Sequence, residues 1–223
     1  MLSTNRRRNI SALIALCLTC ALFTQGCGRK KKQKIYYDNK VFYDEDGNFE
    51  KDAAVQAYVD LLKWHEYEFD ENMTDRIWVT DFGLGKFSHV GVGMMVWAND
   101  AKNNYSGVTV MLLPLQMTPE HWYVKTPESG PRPKDVHCRY GSVYLYGEGT
   151  PTPKVKAKVP EFQKLHVTVW KERVLNVGEV GNVSNPAGKR WEQGGPMGAV
   201  FSEYSTFHTN DAMRFTDPHV KVK

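Results

Sequence analysis

The sequence has 223 residues, which is enough for one domain with a substantial hydrophobic core and short additional segments. Its formal net charge is +4, and its first 27 residues contain three arginines but no acidic residue. Without them the net charge is 4 minus 3, or about +1, which gives no electrostatic reason to expect nucleic acid as a partner.

The first 27 residues have the pattern of a bacterial export signal. A basic segment at residues 6–8 precedes an apolar run at residues 10–23 that is short for a membrane span. Residues 24–27, Thr-Gln-Gly-Cys, resemble a lipobox. We therefore interpret residues 1–27 as a lipoprotein signal peptide with lipidation at Cys27; the alternatives are an ordinary signal peptide or an uncleaved anchor. This interpretation predicts a lipid-anchored protein of the bacterial cell envelope, at the outer membrane or its periplasmic face.

Residues 28–39 predict a basic tether, because five Lys and Arg residues fall between residues 29 and 34. Two interpretations remain open: a solvated spacer, or a segment attracted to the anionic headgroups of the lipid bilayer. In the predicted mature form Cys138 is the one unmodified cysteine, so no intrachain disulfide is expected. No supporting base is identifiable for this thiol, and we expect it to be buried as a small apolar residue.

Residues 40–74 predict a hairpin and an amphipathic helix. Asp46-Gly47 is a favoured hairpin turn, so the acidic residues around it are attributed to turn formation rather than to calcium binding. The helix is expected from an N-cap at Asp52 to about Tyr67, packed on the β domain, with a partner-binding helix as the alternative. Its apolar stripe has helical spacing and consists of Val55, Tyr58, Val59 and Leu62.

Residues 75–223 predict an all-β domain of short strands separated by turns, many of which contain Pro or Gly. Because side chains alternate along a strand, His121 and Tyr123 should share one face, and Lys134 should share a face with Cys138. His137 should point the opposite way. The expected strands cover residues 90–97, 107–113, 137–146, 166–175 and 199–204.

Several motifs in this region occur in a characteristic order. They include Pro119-Glu120-His121, Cys138-Arg139-Tyr140-Gly141, residues 81–86, residues 198–206 and Phe215-Thr216-Asp217-Pro218. Together they resemble the cupin sugar isomerases of the D-lyxose ketol-isomerase type, over residues 75–220. The resemblance implies a cupin fold, a jelly-roll β-barrel, with residues 40–74 as an N-terminal helical extension. It also implies a homodimer as the expected assembly.

The resemblance further implies a divalent metal site, but most of the ligands are replaced. The family binds the ion with the two histidines of a His-x-His motif, a Glu on the returning strand and a His on a later strand. The corresponding residues here are His121, Tyr123, Lys134 and Arg190. One histidine is too few, since three protein ligands are the usual minimum. No cofactor is therefore expected, and manganese or zinc would be needed only by an isomerase with an unorthodox site.

Two interpretations of these replacements remain open. Lys134 and Arg190 either belong to a drifted site or form a positive, metal-free pocket for an anion, because arginine offers a forked donor to carboxylate or phosphate. Glu203, the candidate catalytic residue, would pair with one cation and leave the other unpaired, which suggests an acidic saccharide. The predicted ligand pocket comprises His121, Trp122, Tyr123, Arg132, Lys134, Arg190, Trp191 and Glu203, with Tyr144 as a further aromatic wall.

Three functions are compatible with the sequence. The first is a lipid-anchored, non-catalytic cupin that binds a sugar or sugar acid, or serves a partner. The second is an active aldose–ketose isomerase of the D-lyxose or D-mannose type with an unorthodox metal site. The third is a purely structural envelope lipoprotein.

Overall fold

The computed structural model describes residues 35–183 and 185–222. The predicted signal peptide, the lipidation site Cys27 and most of the basic tether lie outside the described residues. Within the described part of the chain, no helix is both long enough and apolar enough to cross a membrane.

One α-helix and nine β-strands make up the regular structure of these described residues. The helix α1 covers Lys51–Trp64, and short 3₁₀ helices cover Asn39–Phe42, Glu71–Arg76, Glu161–His166 and Asn210–Ala212. The strands are β1 Ile77–Thr80, β2 Val92–Asp100, β3 Tyr105–Leu112, β4 His121–Tyr123, β5 Lys134–Gly147, β6 Lys171–Asn176, β7 Val180–Asn182, β8 Arg190–Ser205 and β9 Met213–Phe215.

The nine strands form one antiparallel sheet, in which β8 is the central element. Strands β1, β2, β3, β8, β4 and β9 follow one another across the sheet, and β5 pairs with β6, β7 and β8. The first part of β8 pairs with the end of β5, and its last seven residues lie between β3 and the start of β5. The all-β fold expected for residues 75–223 is thus confirmed.

Strands β5 and β8 bend together at Gly141. This residue has φ +70°, and it pairs with Ala199, which follows Gly198 at φ +72°. A Cβ at Gly141 would lie 2.1 Å from the carbonyl oxygen of Gly198, so only glycine fits. The pairing register shifts on both sides of Gly141, and such bulges let a sheet curl around its own interior.

Helix α1 packs on β1, β2 and β3, as expected from its apolar stripe. Tyr58, Val59 and Leu62 are buried in a cluster with residues of these strands. The predicted N-cap was wrong: Glu50 occupies that position without a side-chain cap, and Asp52 lies in the first turn. The helix also ends before Tyr67, because Glu66 turns the chain with a φ of +58°.

Two other expected elements are shorter than predicted. The hairpin at residues 40–50 is reduced to one bridge between Tyr43 and Phe49, around a turn in which the Asp44 carboxylate accepts the backbone N–H of Asn48. Of the strand expected at residues 166–175, only Lys171–Asn176 forms. The backbone N–H groups of Thr168 and Val169 donate to the Glu120 carboxylate instead of to a neighbouring strand.

The described residues contain two hydrophobic clusters, one on each side of the sheet's central strands. One lies under α1 and includes Phe42, Phe87 and Met111. The other lies within the curl and includes Trp191 and Cys138. Cys138 is fully buried, as expected, and burial raises the pKa of its thiol to about 11. This second side of the sheet also contains the cavity described next.

Candidate functional site

A cavity of about 670 Å³ lies within the curled sheet. Strands β1, β2 and β3 and the C-terminal segment supply a mainly apolar wall, which includes Trp78, Phe82, Val92, Met94, Val108, Val110, Phe207, Phe215 and Val222. Strands β4, β5 and β8 and the adjoining loops supply polar groups, which include Thr118, His121, Tyr123, Arg132, Lys134, Glu192, Glu203 and His208; Arg76, Asn99, Thr209 and Asn210 also line the cavity. A large apolar pocket with a few convergent polar groups is typical of a small-molecule site.

Lys134 lies at the centre of the polar groups. Its Nζ is 2.7 Å from Oε1 of Glu192 and 2.6 Å from Oε1 of Glu203, and all three side chains are buried. Burial alone would raise the pKa of both carboxyls, but the ammonium group outweighs it and lowers them. Thr118 donates to the second oxygen of Glu192. An ammonium group has three donors, so one of them remains after the two carboxylates are satisfied.

Arg132 extends this cluster along the cavity wall. Its Nε donates to Ser205 Oγ at 2.8 Å and its Nη1 to the Tyr123 hydroxyl at 3.1 Å. Its Nη2 lies 3.7 Å from Glu203 Oε2 and, among the described residues, has no hydrogen-bond partner although it is buried. Arg132 lines the cavity, and its buried Nη2 is a guanidinium N–H group that the described residues leave without a hydrogen bond.

Arg190 does not line the cavity, contrary to the expectation from the sequence. It pairs with His121 across β4 and β8, and its guanidinium lies 5.1 Å from the centre of the Tyr123 ring. Its Nη1 and Nη2 donate to the backbone carbonyls of Arg132 and Pro186. Arg190 therefore ties the backbone at Arg132 to the backbone at Pro186 and does not face the cavity.

The expected aromatic walls were also wrong for three residues. Trp191 alternates with Arg190 and Glu192 along β8, so it faces the core, where it stacks on Tyr146 at 3.8 Å between ring centres. Tyr144 is buried in the same core. Trp122 alternates with His121 on β4, and its ring lies 5.2 Å from the Lys189 ammonium. The aromatic residues that do line the cavity are Trp78, Phe82, Tyr123, Phe207 and Phe215.

Both histidines of the cavity are uncharged at neutral pH. Burial lowers the pKa of His121 to about 4, and the nearby charges of Lys134 and Arg190 act in the same direction. Burial also lowers the pKa of His208 to about 4. His121 Nδ1 lies 2.9 Å from the carbonyl oxygen of Pro119, which can only accept. Nδ1 therefore carries the proton, and Nε2 is left as an acceptor.

The cavity residues do not fit a catalytic divalent ion. His121 is the one family ligand present, and the ammonium of Lys134 occupies the space between the two carboxylates that could otherwise serve as ligands. A dication there would be repelled by Lys134 and Arg132. Within the described ranges, the one group of three His, Cys, Asp or Glu residues close enough to hold an ion is elsewhere, at His166, Asp217 and His219.

The structure thus places five of the eight predicted pocket residues on the cavity wall, which are His121, Tyr123, Arg132, Lys134 and Glu203. Sequence reasoning missed Glu192 and His208. Glu192 had a detectable signal, because it lies two residues after Arg190 on a strand and shares its face. His208 follows the last long strand in an irregular segment, and no periodic pattern indicates where its side chain points. His137 is not among the lining residues, as strand alternation predicted.

Sequence relatives of the chain are sugar isomerases. It is 38% identical over 147 residues to a D-lyxose ketol-isomerase of Thermofilum sp., covering 66% of this chain and 80% of the relative. It is 35% identical over 171 residues to a D-lyxose/D-mannose isomerase of Thermosediminibacter oceani, covering 77% and 92%. A D-lyxose ketol-isomerase of Cohnella laeviribosi is 35% identical over 66% of this chain and 79% of its own. No family model matches the sequence.

Solved structures of L-ribose isomerases share the fold. The Cellulomonas parahominis enzyme without ligand has a TM-score of 0.62 at 10% sequence identity, covering 81% of this chain and 96% of its own. The Acinetobacter sp. DL28 enzyme in complex with L-ribose has a TM-score of 0.60 at 12% identity, with 82% and 96% covered. These likenesses confirm the architecture expected from the sequence, a curled all-β domain with an N-terminal helical extension.

Proposed function

Since the chain belongs to the D-lyxose ketol-isomerase family and has its cupin fold, we propose that it is a member without the metal-dependent reaction that binds a saccharide in the cavity. The observation that carries this proposal is the position of Lys134. Its ammonium lies between Glu192 and Glu203, at a sequence position where the family pattern has a metal-binding Glu. An ion pair between residues of the chain takes the place of the ion.

The protonation states support a binding role over catalysis. Aldose–ketose isomerisation moves a proton between neighbouring carbons, which needs a base with a pKa near the working pH. Burial alone would raise the pKa of Glu203, but Lys134 and Arg132 lower it below the ordinary value. A carboxylate of low pKa that is already held by an ammonium is a weak base, so Glu203 is assigned to binding.

The free hydrogen-bonding groups of the cavity suit a polyhydroxylated ligand. Lys134 has one remaining donor, Arg132 has an unsatisfied Nη2, and His121 offers an acceptor nitrogen. Neighbouring sugar hydroxyls both donate and accept, and an aromatic residue such as Trp78 can pack against the face of a sugar ring. The volume of about 670 Å³ lies within the usual range of small-molecule sites.

An acidic saccharide is the preferred ligand class. Glu192 and Glu203 balance the charges of Lys134 and Arg132. The sequence analysis had predicted a single carboxylate, Glu203, against two cations, Lys134 and Arg190. Arg190 lies close behind, so the group of three cations and two carboxylates keeps one positive charge. Arg132 lines the cavity and its buried Nη2 has no hydrogen-bond partner among the described residues, so a guanidinium that turns toward the cavity would donate a charge-assisted hydrogen bond to a ligand carboxylate. The discriminating residue is therefore Arg132, not Arg190.

Calorimetric titration with neutral sugars and the corresponding uronic acids tests this proposal. The uronic acids should bind about tenfold more tightly at low salt, which corresponds to one charge-assisted hydrogen bond. Arg132→Gln should abolish the difference, whereas Arg139→Gln, at an exposed position on β5, should preserve it. Equal affinity for acidic and neutral forms would overturn the preference, and no binding of either would overturn the saccharide site.

Family membership supports a second candidate, an active isomerase with an unorthodox metal site. Assays with D-lyxose and D-mannose and added manganese separate the two candidates, together with metal analysis of the purified protein. We expect no turnover and no ion whose binding depends on His121. Turnover that requires manganese and is lost in His121→Ala would establish the second candidate instead.

The proposed location is the cell envelope, through acylation of Cys27. The support is the lipobox-like Thr-Gln-Gly-Cys at residues 24–27, which follows a basic segment and an apolar run. Cys27→Ala should move the protein out of the membrane fraction of its cell. Unchanged fractionation of this variant would exclude the lipid anchor.

A further inference from the structure

A second group of potential metal ligands lies outside the cavity. It consists of His166, at the end of the Glu161–His166 3₁₀ helix, and of Asp217 and His219 in the C-terminal segment. His219 Nδ1 is 3.0 Å and His166 Nε2 is 3.9 Å from Oδ1 of Asp217. The three ligand atoms all lie within 4.8 Å of one another.

These separations are close to those of an assembled metal site. Zinc binds imidazole nitrogen and carboxylate oxygen at about 2.0–2.2 Å in a tetrahedral arrangement. Ligand atoms at that distance and at tetrahedral angles are about 3.3–3.6 Å apart. The distances of 3.0 Å and 3.9 Å fall on either side of this range. The two imidazole nitrogens lie within 4.8 Å of each other, so a shift of up to about 1 Å, mainly of the exposed His219 ring, would complete three corners of a tetrahedron.

The carboxylate of this group is held in place from behind. Gln163 Nε2 donates to Oδ2 of Asp217 at 2.8 Å, and both residues are buried. The backbone N–H of His219 donates to Oδ1. A carboxylate ligand oriented by a buried amide is the kind of outer support that metal sites use. Oδ1, the oxygen nearest both imidazoles, is thereby fixed toward them.

The two imidazoles keep the group open to solvent. The His219 side chain is 77% exposed and the His166 side chain is 25% exposed, while that of Asp217 is 4% exposed. An ion could enter from the surface without any rearrangement of the core. A fourth coordination position would face solvent and take a water molecule.

We propose that His166, Asp217 and His219 form a binding site for Zn²⁺. Two imidazoles and one carboxylate suit zinc, whereas magnesium and calcium prefer oxygen ligands. The ion would tie the C-terminal segment to the 3₁₀ helix at Glu161–His166. The same segment supplies Phe215 and Val222 to the cavity wall, so the site also fixes one wall of the cavity.

Zinc titration of the purified full chain tests the site. Because Cys17, Cys20 and Cys27 could also bind zinc, the informative quantity is the difference between variants. His219→Ala should remove one equivalent of bound zinc or weaken it at least tenfold, and His166→Ala should do the same. His137→Ala changes a half-buried histidine on β5 that does not belong to this group, and it should retain the full stoichiometry. Magnesium should show no such equivalent.

A thermal shift gives a second readout. Zinc that binds only the folded state raises the unfolding temperature by an amount that grows with the ratio of free zinc to its dissociation constant, so the wild type and His137→Ala should be stabilised more than His219→Ala. His219 is exposed, so its replacement should leave the fold intact. Identical zinc stoichiometry and identical thermal shifts in the His219→Ala and His137→Ala variants would overturn the proposal. His121→Ala should leave this zinc equivalent unchanged, which separates the site from the cavity.

Discussion

Replacing Lys134 by methionine tests whether an ammonium group between two buried carboxylates organises the cavity. The change removes two short charged contacts, to Glu192 at 2.7 Å and to Glu203 at 2.6 Å, with little change in side-chain length. Removing one partner of a buried ion pair costs about 3–5 kcal/mol, because the remaining charge is left uncompensated. A domain is commonly stable by only about 5–15 kcal/mol. We therefore expect a loss of about 4 kcal/mol at pH 7.

The pH dependence identifies the physical origin of this loss. Without Lys134, one of the two carboxyls should bind a proton in the folded state, so its folded pKa rises above its unfolded value of about 4.3. This carboxyl is protonated in the folded variant at low pH, where the variant is least destabilised. The variant loses that stability as the pH rises through the folded pKa of the carboxyl. Protonating a carboxyl of pKa about 4.3 at pH 7 costs about 3.7 kcal/mol. The difference between variant and wild type should therefore shrink by about 3 kcal/mol from pH 7 to pH 4.5.

Urea unfolding of the wild type, of Lys134→Met and of Lys102→Met at both pH values measures these differences. Lys102 is exposed in the turn between β2 and β3, so its replacement should change stability by less than about 0.5 kcal/mol. Adding Glu192→Gln to Lys134→Met should recover part of the loss at pH 7, since only one buried carboxylate remains. A loss below about 1 kcal/mol at pH 7, or one that does not depend on pH, would refute the reasoning.

Three further expectations concern stability. Burial lowers the folded pKa of His121 and of His208 to about 4, so the unfolded chain binds more protons below pH 6.5 and stability should fall from pH 6.5 to pH 4. His121→Asn should reduce the slope of stability against pH by up to about 1.4 kcal/mol per pH unit in urea unfolding. An unchanged slope would contradict this expectation. Glu120 is buried and accepts four hydrogen bonds from the loop after the Glu161–His166 helix and from the C-terminal segment. Glu120→Gln should therefore lower the free energy of unfolding by about 2–3 kcal/mol in the same assay. A change within about 0.5 kcal/mol would show that these bonds are replaceable. Gly141→Ala should lower the unfolding temperature strongly, because the added Cβ meets a carbonyl oxygen at 2.1 Å; wild-type thermal stability would show that the β5–β8 bend adapts.

The faces of β4 and β5 could be predicted because strand alternation is local. A period of two residues places His121 and Tyr123 together, and Lys134 on the inner face with Cys138. All but Cys138 line the cavity, and Cys138 is buried in the adjacent core. The position of Glu203 followed from its place in the family's closing segment. For these residues the sequence pattern contains the required geometric information.

The charge balance of the cavity could not be predicted because it depends on a distant contact. Lys134 and Glu192 are 58 residues apart in sequence and 2.7 Å apart in space. In the β5–β8 pairing Lys134 lies opposite Ser205 and Glu192 opposite Leu145, so it is the bend of the two strands at Gly141 that brings the side chains together. The expectation for Trp191 failed for a related reason. An aromatic side chain suits a pocket wall as well as a hydrophobic core. On β8, Trp191 lies on the same face as Gln193 and on the opposite face from Glu192, which lines the cavity, so Trp191 points into the core.

Under the proposed function, the exchange of a metal for an ion-pair cluster preserves the net charge of the site. The resemblance also places a loop lysine of the family at Arg132 and a glutamate of the family at Glu203. In the family pattern, the divalent ion and this lysine are opposed by that glutamate and the one on the returning strand, which leaves one positive charge. In this chain, Arg132, Lys134 and Arg190 are opposed by Glu192 and Glu203, which also leaves one. Glu192 is essential to this balance, since the three cations alone would give a charge of about +2 against Glu203. What is lost is the open coordination position that polarises a carbonyl, and what is kept is a positive, hydrogen-bonding cavity wall. On this proposal, the cavity would hold a polyhydroxylated anion and would lack the groups that move its protons.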